Sequence, residues 1–363
     1  MSRLERRRQE VIVRSIVPIV EQLDRALCEL AIDHPLNGRI ALILVDNGLE
    51  LMCHQKCADL LFDDRYRPSH RLTAEQRNDA RGRAFDKKIQ FLKDLGHIPA
   101  DQVQAMAILH EYRNQLYHVG LRDDPIIGQL AHLYFRLAAG LLESLLGAQR
   151  HLRWEPEVVS DTARRLLPEL ATAKYHRAKI DIAALRGRLL AACSQPPMPV
   201  EQALIGHLLV RIDQAESSFG IIAKGRSGTD DPIHTIRTVQ LEADTIAALV
   251  RFRRDGDKAL KAKGLAAKPL DVRMLSIARG TKVLVDLNVR LLPGWKPKYP
   301  RLPFESWRKR TKSIATKRRS LLALEIFDRI RREIDQLEDI MADPIEDMHG
   351  WHQHQEDVAM DSR

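Results

Sequence analysis

A chain of 363 residues with 44% hydrophobic and 29% charged side chains is long enough for two or three domains with cores of their own. It holds no apolar run long enough to span a bilayer, and no signal-peptide core follows the basic start, so the expectation is a cytoplasmic protein without a membrane partner. The formal charge of +9 favours a polyanion such as RNA as partner, set against a merely solvated basic surface.

Leu, Ala, Ile, Arg and Glu dominate, and no strong run of alternating β-branched residues is present, which predicts an all-α fold. A first helix is expected over 4–32, stopped by Asp33-His34-Pro35. A second runs over 40–62, where Asp46, Asn47, Glu50 and His54 form a polar stripe in an otherwise apolar helix. That stripe either faces solvent or brings Asn47 or Glu50 to a site elsewhere. Cys53 and Cys57 share a face of the same helix. With Cys28 and Cys193 they give no Cys-x-x-Cys pair, so they read as reduced, mostly buried thiols and not as metal ligands. Residues 72–95 are polar at first and then helical, broken by Gly96 and Pro99.

The next helix, 100–119, carries the densest chemistry. At about 100° per residue, Leu109, Tyr112, Leu116 and Val119 form one apolar face, while His110, Arg113, Asn114 and Tyr117 share another. Gly120 fits a C-cap just beyond His118. Arg113 and His118 lie about 140° apart around the axis, so they converge only through the long Arg side chain, a loosened last turn, or a second copy of the chain. A similarly spaced pair, Arg65 and His70, has Pro68 between its members and no polar residue after the Arg, which argues against a helical site there.

The Arg113-Asn114-x-x-x-His118 pattern resembles the signature of the HEPN superfamily, helical domains many of which are metal-independent endoribonucleases of toxin–antitoxin and phage-defence systems. The stretch Asp46-Asn47-Gly48-Leu49-Glu50-Leu51 is similar to a family helix as well. The resemblance covers roughly residues 1–150. It implies Arg113, Asn114 and His118 as catalytic residues, Asn47, Glu50 and Tyr117 as supporting ones, no cofactor or metal, RNA as substrate, a homodimer, and an antitoxin or defence-system partner. One departure is visible: several toxin members carry Tyr two residues after the His, where this chain has Gly120.

A helix led by Asp123-Asp124-Pro125 is expected to close the first domain near residue 150. A second helical domain is expected over 151–292, with one long helix over 154–192 and others over 200–222, 233–263 and 270–291. The Pro-rich stretch from Leu292 to Pro303 reads as an extended linker. A basic helix follows, in which Lys309, Arg310, Lys317 and Arg318 interleave with Trp295, Tyr299, Phe304 and Trp307. Cations beside stacking surfaces suit single-stranded RNA, and the alternative is a linker pinned down by its aromatics. Leu324, Phe327, Ile330, Ile334, Leu337 and Met341 continue that helix with a seam for intramolecular packing. The tail 344–363 is expected to be disordered.

The function expected from these readings is a metal-independent endoribonuclease of a toxin or defence system. The alternatives are a non-catalytic RNA- or nucleotide-binding module and a structural helical scaffold.

Overall fold

In the computed structural model, residues 3–66, 71–118, 125–153, 161–172, 177–196, 198–224, 231–262, 292, 294–317 and 320–361 are described. Among them the fold is all-α: the one sheet is a two-stranded ribbon. None of the described helices is long and apolar enough to cross a membrane.

The chain forms two compact units. The first comprises Met1–His207 with Ile314–Asp328, the second Leu208–Ser313 with Arg329–Arg363. The divisions between the units fall inside helical segments.

The first unit is built on α1 (Arg3–Leu30), α2 (Pro35–Tyr66) and α6 (Ile127–Leu146). Helical spacing explains their packing. Ile16, Ile19, Val20, Leu23, Ala26, Leu27 and Leu30 recur every three or four positions and are buried. Leu42, Val45, Leu49 and Met52 do the same on α2, and Leu130, Tyr134, Leu141 and Leu145 on α6. At one point α2 and α6 meet backbone to backbone: a Cβ on Gly38 would lie 2.9 Å from the Gly128 Cα, so only glycine fits there.

Two short helices lead to the motif. The polar start of 72–95 is α3 (Ala74–Arg81), opened by a reciprocal capping box between Thr73 and Gln76. Arg77 anchors α3 to the end of α2 by donating to both Asp64 oxygens at 2.7 and 3.0 Å. These bonds and the Leu72 N–H hold the Asp64 carboxyl at about 2, below its ordinary range. The apolar part is α4 (Phe85–Asp94), which buries Phe85, Ile89, Phe91 and Leu92. Helix α5 (Ala100–His118) then buries Ala105, Ile108, Leu109 and Tyr112 at i, i+3, i+4 and i+7.

The stretch expected to be one helix over 154–192 is something else. Strand β1 (Gln149–Arg153) pairs antiparallel with β2 (Arg177–Asp181), and between them lie the short helices α7 (Asp161–Leu166) and α8 (Glu169–Thr172). Ala178 and Ile180 are buried while Lys179 is exposed, the two-residue period of a strand, too short a run to stand out in a Leu/Ala-rich sequence. Asp181 caps α9 (Ile182–Ala192) by accepting from the Ala184 N–H.

Further on are α10 (Val200–Lys224) and α11 (Pro232–Ala262). The helix expected over 270–291 lies outside the described residues. Helix α12 (Phe304–Lys312) ends in a 3₁₀ turn, Ser313–Thr316, so the basic segment and the apolar seam are not one continuous helix. The seam belongs to α13 (Ser320–Asp361), where Leu324, Phe327, Ile330, Ile334, Leu337 and Met341 are all buried. In the first unit, the Phe327 ring lies 6.2 Å from Tyr112 and 5.8 Å from His207.

The tail expected to be disordered continues α13 as far as Asp361, through Pro344. The apolar stripe explains the continuation, because Met341, Ile345 and the buried Met348 keep the helical spacing past the proline.

Candidate active site

Two helices make the site. On α2, Asp46 and Asn47 are adjacent and Glu50 lies one turn further on, so all three reach the same neighbour. That neighbour is α5, whose polar face brings His110, Arg113 and Asn114. The packing of Leu109 and Tyr112 behind them fixes which way this face looks.

Arg113 is the hub. Its Nη2 donates to Asn47 Oδ1 at 3.0 Å and its Nη1 to Asn114 Oδ1 at 3.0 Å. Its Nε lies 3.1 Å from Asp46 Oδ2, and its Nη2 is 3.8 Å from Glu50 Oε1. A guanidinium set between two carboxylates and two amide oxygens has its plane and position fixed. The structure thus places Asn47, Glu50 and Asn114 around Arg113.

Asp46 is fully buried, and three groups converge on it. His110 Nδ1 sits 3.0 and 3.1 Å from its two oxygens, the Tyr134 hydroxyl donates to Oδ1 at 2.6 Å, and Arg113 adds its charge. The Phe85 ring covers His110 with centroids 4.5 Å apart and planes at 34°.

The charges act on one another. Burial pushes the Glu50 carboxyl above its ordinary value, and the Asp46 carboxylate adds to this against the pull of Arg113 and His110. Burial works to lower the His110 value, but the hydrogen bond and charge of Asp46, with Glu50, outweigh it and favour the imidazolium. Burial raises Tyr134 well above the usual phenol range, and Asp46 raises it further, so it stays a neutral donor.

Asp46, Glu50 and His110 bring ligand atoms within 4.8 Å of one another, a spacing at which a metal ion could be held. The Arg113 guanidinium already supplies positive charge to both carboxylates, and His110 Nδ1 faces Asp46. The charge of the cluster is met by side chains, and no metal is assigned to it. Cys53 and Cys57 are buried, and burial raises both, Cys57 to about 11. Nearby, the buried Lys88 reaches the His54 Nδ1 at 2.9 Å, and burial together with this charge lowers the His54 value. Cys193 is buried as well and Cys28 exposed, so the thiols are mostly buried, as expected.

His118 ends α5, but its side chain, like that of Tyr117, lies outside the described residues. So does His70 of the second Arg–His pair, while Arg65 is exposed and lies against the Tyr66 ring. Sequence reasoning left Asp46, His110 and Tyr134 out of the site. The first two had a signal, since Asp46 pairs with Glu50 at i+4 and His110 with Arg113 at i+3. Tyr134 had none, being 88 residues from its partner.

Of the two readings of the basic segment's aromatics, the structure agrees with the one in which they pin the chain. Tyr299, Phe304 and Trp307 are buried in the second unit, so they pin the segment instead of offering stacking surfaces. The Trp307 N–H donates to Glu333 Oε2 at 2.7 Å, and Trp295 donates to Asp244 at 2.7 Å. Arg310 is paired with Glu333 at 2.7 Å, whereas Lys309 is exposed and Lys317 half-buried. Arg318 lies outside the described residues.

No protein-family model matches the chain, and no curated protein or solved structure matches it.

Proposed function

We propose that this chain is a metal-independent endoribonuclease of the HEPN type, an effector of a toxin or defence system. The observation that carries the reading is the clasp of Arg113 by Asp46, Asn47, Glu50 and Asn114, on the helix that ends at His118. Cleavage by attack of the neighbouring 2′-hydroxyl needs a base, an acid and positive charge for the crowded phosphorane. Arg113 supplies the charge with a two-pronged grip on phosphate oxygens. His118, which ends α5, moves a proton. Asn47, Asn114 and Glu50 are positioning residues for Arg113.

The active form in this reading is a homodimer whose two Arg113/His118 sets face a shared cleft, with an antitoxin or defence-system protein as further partner. Light scattering is expected to report a dimer at micromolar concentration, and a fully active monomer would count against it.

The clasp also favours a second reading. A guanidinium held by so many acceptors can serve to lock α2 to α5 in an RNA-binding module or scaffold without turnover. Incubating the purified protein with RNA in EDTA separates the two. Turnover leaving 2′,3′-cyclic phosphate and 5′-hydroxyl ends, with DNA untouched, supports the nuclease. Binding without cleavage, or cleavage only after metal is added, removes it.

Lys309, Arg310, Lys317 and Arg318 are assigned to RNA phosphates. Changing the four to Glu is expected to raise the Kd for RNA and to flatten its salt dependence, the logarithmic slope falling by up to about one for each phosphate no longer neutralised. The single-turnover rate at saturation should hardly move. Affinity equal to wild type at low salt would leave the segment a solvated surface.

A further inference from the structure

We propose that His110 is the general acid of this site, protonating the leaving 5′-oxygen, and that Asp46 and Tyr134 hold it in position. The inference rests on the endoribonuclease reading and adds a residue to it within one chain.

The geometry is that of an oriented imidazole. His110 lies one turn before Arg113 on the same face of α5, so both can address one phosphodiester. Its Nδ1 faces a fully buried carboxylate at 3.0 and 3.1 Å, and that carboxylate is itself held by the Tyr134 hydroxyl at 2.6 Å. Phe85 packs on the ring from α4. An Nδ1–H given to a carboxylate fixes the tautomer and leaves Nε2 for chemistry. Nε2 has no hydrogen-bond partner among the described residues. Besides His110, Asp46 is held by Arg113 at 3.1 Å and by the Tyr134 hydroxyl, so the carboxylate that orients the ring is itself fixed.

The surrounding charges select the acid role over the base role. From α2, His110 faces Asp46 and, at 3.6 Å, Glu50, both favouring the protonated ring. From its own helix Arg113 opposes them, α4 contributes the uncharged Phe85, and α6 reaches the pair through the neutral Tyr134. Two carboxylates, one guanidinium and one imidazolium sum to zero, and an incoming phosphate adds negative charge that strengthens the hold on the proton.

In the step itself, His118 takes the 2′-hydroxyl proton as the O2′–P bond forms. The P–O5′ bond breaks as the Nε2 proton of His110 passes to O5′. The products are a 2′,3′-cyclic phosphate and a 5′-hydroxyl, with His110 neutral and His118 protonated until solvent resets both.

The test compares wild type, His110→Gln, His118→Ala and Asp46→Asn, all in EDTA. The substrates are an RNA oligonucleotide and the same RNA with sulfur replacing the bridging 5′-oxygen at the mapped cut. A thiolate leaves without needing a proton. His110→Gln is expected to slow cleavage of the ordinary RNA by about 10²–10⁴-fold and to cut the sulfur-containing RNA near the wild-type rate. His118→Ala should be slow on both. Asp46→Asn keeps the imidazole but removes its anionic partner, so the descending limb of its pH–rate profile should move to lower pH. Equal loss on both substrates with His110→Gln, or no loss on either, overturns the assignment. Should the Gln variant fail to fold by circular dichroism, an unmoved limb with Asp46→Asn overturns it instead. Wild-type protein that cuts neither RNA sinks the endoribonuclease reading and this inference together, whereas active wild type beside an unaffected His110→Gln sinks this inference alone.

Discussion

Arg113→Ala is expected to lower the metal-free RNA cleavage rate by about 10²–10⁴-fold, at least as much as His118→Ala. The arginine loss falls on transition-state charge. In wild type the guanidinium is held ready by Asn47 Oδ1 and Asn114 Oδ1, each at 3.0 Å, so none of its orientation has to be found during the reaction. Truncating it also removes one of the two cations beside Asp46 and Glu50, and the folded state is expected to lose stability as well, most at pH above the raised Glu50 value, where that carboxyl is ionised. Arg113→Lys separates the two effects, since it keeps the charge near Asp46 but cannot grip a phosphate with a planar fork. Single-turnover rates for the Ala and Lys variants, beside their melting midpoints, check this. An Arg113→Lys protein that cuts at the wild-type rate would remove Arg113 from the transition state.

Trp307→Ala is expected to destabilise the second unit by about 3–5 kcal/mol. Its ring is 1% exposed, meets Tyr299 at 6.0 Å and Phe304 at 5.7 Å edge to face, and its N–H holds Glu333. Glu333 gives the loss a pH signature. Burial works to raise its carboxyl, but the Arg310 and Trp307 hydrogen bonds outweigh it and leave the value below the ordinary 4.5. A carboxyl lowered in the fold stabilises above its unfolded value and loses that contribution as pH falls through the folded one. Without the indole donor the folded value rises, so the loss begins at higher pH. Urea denaturation followed by circular dichroism at pH 4 and pH 7 measures both effects, and an unchanged midpoint would show that the ring is not part of the core.

The sequence made the helices legible wherever one face was apolar over several turns, as in α2, α5 and α6. It misplaced structure where the signal was shorter than a helix, as in the Ala178-Lys179-Ile180 alternation, or where the acidic, polar composition of the tail hid the helical spacing of Ile345 and Met348. Half of the site followed the same logic. Asn47, Glu50, Arg113 and Asn114 could be named because each lay on a polar stripe of an amphipathic helix. Asp46 and His110 lay on those stripes too, but nothing in the sequence told which α2 residue would meet which α5 residue. Tyr134 was hidden among the apolar residues of α6, where its hydroxyl could not be told from core filling. The aromatics of the basic segment were open to two readings for a related reason: spacing shows that rings and cations alternate, not which of them the fold buries.

The first unit is completed only when residues 314–328 have been made. Ile314, Ala323, Leu324 and Phe327 are buried, and Phe327 supplies the ring that stacks on Tyr112, on the back of the helix bearing Arg113. A ribosome has made Arg113 and His118 some two hundred residues before it reaches that partner. While the chain is still growing, α5 has no Phe327 to seat against, and the clasp between α2 and α5 lacks its backing. The helix that carries Arg113 therefore gains its backing only after residues 314–328 have been added to the chain.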